Sequence, residues 1–332
     1  MAQPCCAVLL TSLASCRLLS KGLHREYIGA GAKVCVCNSF VATEHHLRSW
    51  QYEGKQKELS DMMGQLISKA VFCAAEARRL EGIEGVLLAG CLPPLGESYQ
   101  PATRTLTKEA MVRQYEDIIH HMSTSTDQVD VLLCETMSSV GEALACLEAV
   151  ERSGVSAPLW ISFTIEDRVD CAKLRSGEDL QSAVKTLLAH KDCKGRVKAV
   201  LVNCSAPASA TVALKVLTQA IHETQTCGED IYTAKINTGA YANGFITTTS
   251  QWMISASASS EQQQARSEQD TKCLVKQPES DYYEDTGTIK EEAYTKHVLD
   301  WLKIHPSVKV VGGCCGIGVS HIKHLKKHIH AR

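Results

Sequence analysis

Short apolar runs alternate with helical stretches along most of this chain: Ala7–Leu10, Lys33–Cys37, Gly85–Ala89, Val129–Cys134, Leu159–Phe163, Val197–Val202, Ile231–Ile236 and Val308–Val311. Strands buried on both faces read as continuous apolar runs, and their alternation with helices is the pattern of parallel βα units. Eight such runs favour closure over an open sheet, so the expected fold class is α/β, a (β/α)8 TIM-type barrel. The helices between them carry the matching signal: Leu144, Leu147 and Val150, and again Ile322, Leu325 and Ile329, recur at near-helical steps and give each helix one apolar stripe. With 332 residues and 44% apolar content the chain can bury one large core, which fits a single barrel with insertions.

Two segments break the rhythm. Residues 246–287 are rich in Ser, Thr, Gln and charge, and are expected to form a long, flexible polar insertion before the last strand, with a lid as the less favoured reading. Residues 1–22 form an atypical start, in which Ala7–Leu10 is a candidate replacement first strand followed by a helix over Ser12–Ala30. The same acid-free stretch is a less favoured candidate for a targeting segment, since no basic residue precedes Arg17; a cytoplasmic location is expected, with a mitochondrial one as the minor alternative.

A formal net charge of −2 leaves no electrostatic footprint for nucleic acid, and no run of eighteen apolar residues suggests a membrane span. Small molecules are the expected partners, with oligomerisation left open. The sixteen cysteines do not suggest a disulfide framework, a device of short secreted chains; most lie inside apolar patterns such as Val34-Cys35-Val36-Cys37.

One pair of cysteines has little use in packing. Cys314-Cys315 follows a strand and sits in Gly312-Gly313-Cys314-Cys315-Gly316, where glycines let the backbone leave the pleat so that adjacent thiols can face one ion. Soft sulfur donors suit zinc, and a catalytic zinc site needs three protein ligands and one open position. Cys204, at the end of the run Val197–Asn203, is the candidate third ligand, although cysteine is also a common small core residue.

Three segments, Leu132-Leu133-Cys134-Glu135-Thr136, Leu201-Val202-Asn203-Cys204-Ser205-Ala206-Pro207 and Gly312-Gly313-Cys314-Cys315-Gly316, resemble the zinc-dependent homocysteine S-methyltransferase family in content, order and spacing. Supporting stretches are His24-Arg25-Glu26-Tyr27-Ile28, Gly90-Cys91-Leu92-Pro93-Pro94-Leu95-Gly96, Trp160-Ile161-Ser162-Phe163 and Gly239-Ala240-Tyr241-Ala242-Asn243. The resemblance covers residues 23–332 and implies a homocysteine-binding methyltransferase barrel holding Zn2+ through Cys204, Cys314 and Cys315. It also implies that Glu135 meets the ammonium group of homocysteine. Asn38 and Tyr241 fall near strand ends and are candidate pocket residues.

The implied reaction is methyl transfer from a sulfonium donor, S-methylmethionine or S-adenosylmethionine, to the thiol of homocysteine. Betaine is less favoured, because no aromatic cage for its ammonium can be traced. The chain departs from the family in lacking the Asp-Gly-Gly motif of the first strand. The alternatives are therefore a catalytically impaired zinc-binding paralogue, or an enzyme that methylates another small thiol or selenol. His321, His324 and His328 invite a second metal site, but a solvated helix face is the preferred expectation for them.

Overall fold

The computed structural model describes residues 15–49, 56–103, 105–124, 129–227, 235–249, 251–252 and 280–329. Among them the strands are β1 (Val34–Val36), β2 (Leu87–Leu92), β3 (Val131–Met137), β4 (Leu159–Phe163), β5 (Val197–Asn203), β6 (Asn237–Ala242) and β7 (Val308–Gly313). The helices are α1 (Ser15–Ala30), α2 (Glu44–Ser49), α3 (Gln56–Glu81), α4 (Lys108–Ser123), α5 (Val140–Arg152), α6 (Leu180–Ala189), α7 (Pro207–Cys227), α8 (Glu291–Ile304) and α9 (Val319–Ile329). Strand order in the sheet follows chain order. No described helix is long and apolar enough to cross a membrane.

The chain groups into two compact units. The first comprises Ala102–Glu135, Gly141–Trp160 and the described part of Met1–Ser98. Its strands pair in parallel, Val34↔Leu87 to Val36↔Ala89 and then Ala89↔Val131 to Leu92↔Cys134. α4 shows why its sequence makes a covering helix. Thr107 caps it by accepting the Ala110 N–H at 3.3 Å, and Met111, Tyr115, Ile118 and Met122 form the buried stripe. A buried carboxylate, Glu142, accepts the Leu95 N–H at 2.9 Å and the Tyr115 hydroxyl at 3.4 Å, which fixes the loop after β2.

The second unit comprises Tyr99–Pro101, Thr136–Val140 and the described part of Ile161–Arg332. β5 and β6 pair in parallel from Ala199↔Asn237 to Asn203↔Tyr241, and β6 and β7 from Thr238↔Val308 to Ala242↔Gly313, with a register shift between Thr238 and Gly239. Trp301 and Tyr294 of α8 are fully buried. The Trp301 indole N–H donates to Thr211 Oγ1 at 2.8 Å, and the Tyr294 hydroxyl donates to the Gly312 carbonyl at 2.6 Å while accepting the Ala242 N–H at 3.1 Å. Tyr294 thus clamps together the ends of β6 and β7.

The strand rhythm holds from β1 to β5 and at β7. The seventh run, Ile231–Ile236, is corrected: its described residues, Lys235 and Ile236, are not in a strand, and the strand is Asn237–Ala242. The reason is close backbone approach. A Cβ at Gly239 would stand 1.8 Å from the Val310 carbonyl oxygen, so small residues win here over the apolar bulk that marks other strands. The candidate strand Ala7–Leu10 and most of the polar insertion lie outside the described residues.

His24 on α1 is buried, with no hydrogen-bond partner for its Nε2. Burial pushes its pKa down to about 4. The unfolded chain, with an ordinary value of about 6.5, binds the proton first as pH falls, so this part of the stability is intact above about 6.5 and is lost on the way to about 4. Urea unfolding is expected to show a loss of about 2 kcal/mol from this group between about pH 7.5 and about pH 5. That increment should vanish in His24→Leu.

Candidate metal centre

The site is built where β5 and β7 of the second unit end. β5 terminates in Asn203, fully buried, whose Oδ1 accepts the Ser162 hydroxyl at 2.7 Å and whose Nδ2 donates to Thr136 Oγ1 at 2.7 Å. These two bonds, one to each end of the amide, fix the strand end in a dry setting. The next residue, Cys204, has φ 49°, and Thr136 has φ 62°; they are the non-glycine residues with positive φ among those described. Left-handed backbone costs an L-residue about 1–2 kcal/mol and persists only where the surroundings over-determine it. Here the Cys204 N–H donates to the Tyr241 carbonyl at 3.4 Å and its carbonyl accepts the Thr164 hydroxyl at 3.3 Å. The turn carries the Cys204 side chain out of the strand's alternation.

β7 ends in a second reversal. The Cys314 N–H donates to the Ala242 carbonyl at 2.9 Å, the Cys315 carbonyl accepts the Gly244 N–H at 2.7 Å, and the Ile317 N–H returns to the Cys314 carbonyl at 3.1 Å. Gly316, at φ 80°, closes this turn in a conformation that a side chain would oppose.

The two reversals bring all three predicted sulfurs within 4.8 Å of one another. Cys314 Sγ and Cys315 Sγ are 3.9 Å apart, close to the separation of about 3.8 Å that two Zn–S bonds of about 2.3 Å subtend in a tetrahedron. Cys204 Sγ and Cys314 Sγ touch, with Cα atoms 5.7 Å apart, so the same pair is also placed to close as a disulfide. Cys204 is buried, Cys314 intermediate and Cys315 exposed, which leaves one side open to a small molecule. Three soft donors with an open side fit zinc in a catalytic setting. Among the described residues no other group of three His, Cys, Asp or Glu side chains converges in this way.

The remaining predicted residues are placed as follows. Tyr241 is buried within β6, one residue before its end, and its carbonyl anchors Cys204. Glu135 lies in the first unit, half-buried within β3, and its Oε2 accepts a hydrogen bond from the Cys91 thiol at 3.3 Å. Burial first, and the adjacent Glu135 carboxylate second, push the Cys91 pKa well up, so the thiol stays protonated as the donor. Asn38, also in the first unit, is exposed two residues beyond β1.

The expectation of a solvated histidine face on α9 is corrected for His321. That ring is buried: its Nδ1 accepts the Gly318 N–H at 3.2 Å, and its Nε2 lies 2.7 Å from the Ile289 carbonyl, to which it donates. His324 is bound through Nδ1 to Thr295 Oγ1 at 2.8 Å. Sequence reading also missed Asp167, a fully buried carboxylate beside Cys204-Ser205-Ala206. Its flanking Glu166, Arg168 and Asp170 disguise it as part of a solvated charged loop.

Comparison with known proteins finds similarity to homocysteine S-methyltransferases. The chain is 28% identical over 212 residues to homocysteine S-methyltransferase 4 of Zea mays, covering 59% of this chain and 58% of that one. It is 28% identical over 210 residues to homocysteine S-methyltransferase 1 of Brassica oleracea var. italica, covering 57% and 59%. The chain thus spans somewhat over half the length of these curated relatives. In structure it resembles the homocysteine methyltransferase MmuM from Escherichia coli, with a TM-score of 0.65 at 19% identity to the metallated form and 0.64 at 20% to the oxidized form, each time over 97% of this chain and 87% of the other. That likeness shows the fold, and with it the α/β barrel class that the strand rhythm predicts. Residues 6–329 match the homocysteine S-methyltransferase family model, and the chain belongs to that family.

Proposed function

We propose that this protein transfers a methyl group from a sulfonium donor, S-methylmethionine or S-adenosylmethionine, to the thiol of L-homocysteine, forming methionine, with Cys204, Cys314 and Cys315 holding zinc. The observation that carries the reading is the convergence of three cysteine sulfurs at the ends of the two strands that flank β6, with one side open, in a chain of this family. Zinc in that corner would keep its ligand thiols, and a substrate thiol at its open position, ionised at a pH where a free thiol of pKa about 8.5 is mostly protonated. In the transfer, the homocysteine thiol gives its proton to water, its sulfur forms the new bond to the methyl carbon, and the old carbon–sulfur bond breaks with its electron pair returning to the donor's sulfur. The cationic donor therefore leaves as a neutral thioether.

The chain's own residues supply position. Buried Cys204 and the Asn203 network behind it form the fixed wall of the corner, while exposed Cys315 faces the side from which a substrate enters. Glu135 is the proposed acceptor for the homocysteine ammonium, held in orientation by the Cys91 thiol. Keeping three cysteines reduced for a metal calls for a reducing compartment, consistent with a cytoplasmic enzyme.

Purified protein is expected to carry one zinc and to form methionine from homocysteine with one of the two donors in separate reactions. Cys315→Ala should lose most of the zinc, and its turnover should fall by more than about 100-fold. Full turnover without zinc would refute the assignment. Glu135→Gln should raise the KM for homocysteine roughly ten- to a hundredfold, with zinc content unchanged and kcat altered little. An unchanged KM would remove Glu135 from substrate binding.

A further inference from the structure

We propose that Asp167 is the positioning residue of the metal corner, with Arg175 as its counter-ion: through the Ala206 amide the pair fixes the left-handed turn from which Cys204 reaches the other two sulfurs. The inference rests on the metal-binding part of the reading above and not on which methyl donor is used.

Asp167 and Arg175 lie in the connection between β4 and α6, which folds back on itself through antiparallel bridges at Ile165↔Leu174 and Lys173↔Asp179. The Arg175 Nη2 donates to Asp167 Oδ2 at 3.1 Å, and the two side chains are 3% and 0% exposed. The Arg175 guanidinium also lies 5.5 Å from the centroid of the Tyr99 ring. Taking both charges out of water is costly and is unfavourable unless each is well paired and hydrogen-bonded. A connection serving only as a cover would leave them in solvent.

The second carboxylate oxygen shows the target. Asp167 Oδ1 accepts the Ala206 N–H at 2.8 Å, two residues beyond Cys204. α7 begins at Pro207, which has no N–H, and Ala206, before it, has no side-chain oxygen with which to cap the helix. The buried carboxylate therefore supplies from outside the anion that favours a helix N-terminus. The same connection also binds the two preceding residues: Thr164 Oγ1 donates to the Cys204 carbonyl at 3.3 Å, and the Ile165 N–H donates to Ser205 Oγ at 3.0 Å. Of these three successive anchors, only that of Asp167 is charged. Without it the φ 49° turn at Cys204 can relax, and its sulfur drifts from Cys314 and Cys315.

Two double variants isolate the acceptor. Asp167→Asn/Arg175→Met removes both charges and keeps an oxygen for the Ala206 N–H; Asp167→Leu/Arg175→Met removes the charges and the oxygen. Neutral replacements of a buried ion pair commonly fold. The measurements are the rate at which a chromophoric chelator withdraws zinc and the thiolate-to-metal charge-transfer absorbance after cobalt(II) substitution, with circular dichroism to confirm folding. The Asn/Met variant should release zinc within about threefold of the wild-type rate, and the Leu/Met variant about tenfold or more faster with a weaker cobalt band. A merely structural pair would shift the melting temperature and leave both metal readouts alike in the two variants. That result overturns the proposal, as does failure of the wild-type protein to bind zinc or cobalt. Zinc binding without methionine formation would instead sink the transfer reaction, while the comparison of release rates still decides the role of Asp167.

Discussion

The site depends on two backbone reversals, each of which places a thiol where a regular strand could not. Along β5 and β7 side chains alternate between faces, so neither strand alone can present several sulfurs to one point. The left-handed Cys204 breaks the alternation at one strand end, and the turn closed by Gly316 breaks it at the other. Both are tied to β6, through the Tyr241 carbonyl on one side and the Ala242 carbonyl on the other. β6 is thus the common reference for the three cysteines, and its pairing with β5 and β7 sets the distance between them.

This dependence explains why β6 is the strand that sequence pattern misplaced. Asn237-Thr238-Gly239-Ala240-Tyr241-Ala242 lacks the large aliphatic residues that mark the other runs, because Gly239 must let Val310 approach and the register shifts beside it. Packing outweighs propensity there. The cysteines were legible for the opposite reason: Cys314-Cys315 between glycines is poor packing material, so its chemistry stands out. Asp167 and His321 were not legible. Each is polar and makes a buried hydrogen bond to a residue distant in sequence, Ala206 and Ile289 respectively.

The other cysteines show what separates a ligand from core filler. Burial pushes the Cys37 thiol up to about 12 and that of Cys91 well above its ordinary value, so these groups remain neutral and small, and Cys91 acts as a hydrogen-bond donor to Glu135. The three cysteines of the corner differ by position. They lie just beyond strand ends and grade from buried to exposed, the placement that the proposed zinc site requires.

The polar groups behind the corner follow the same logic. Asn203 links Ser162 to Thr136 on the β5 side, and Tyr294 bridges Ala242 to Gly312 on the β7 side. Apolar packing of equal volume could stabilise these strand ends at least as well, since the net gain from an intramolecular hydrogen bond is modest. What apolar contacts lack is direction. A metal centre tolerates sulfur displacements of only a few tenths of an ångström, and a bond of fixed length and angle restricts a backbone turn to that scale where dispersion contacts leave it free to slide. The buried polar shell around Cys204 and Cys314 is therefore best understood as a means of holding geometry, and the charged Asp167 anchor is its most demanding member because its partner, Arg175, had to be buried with it.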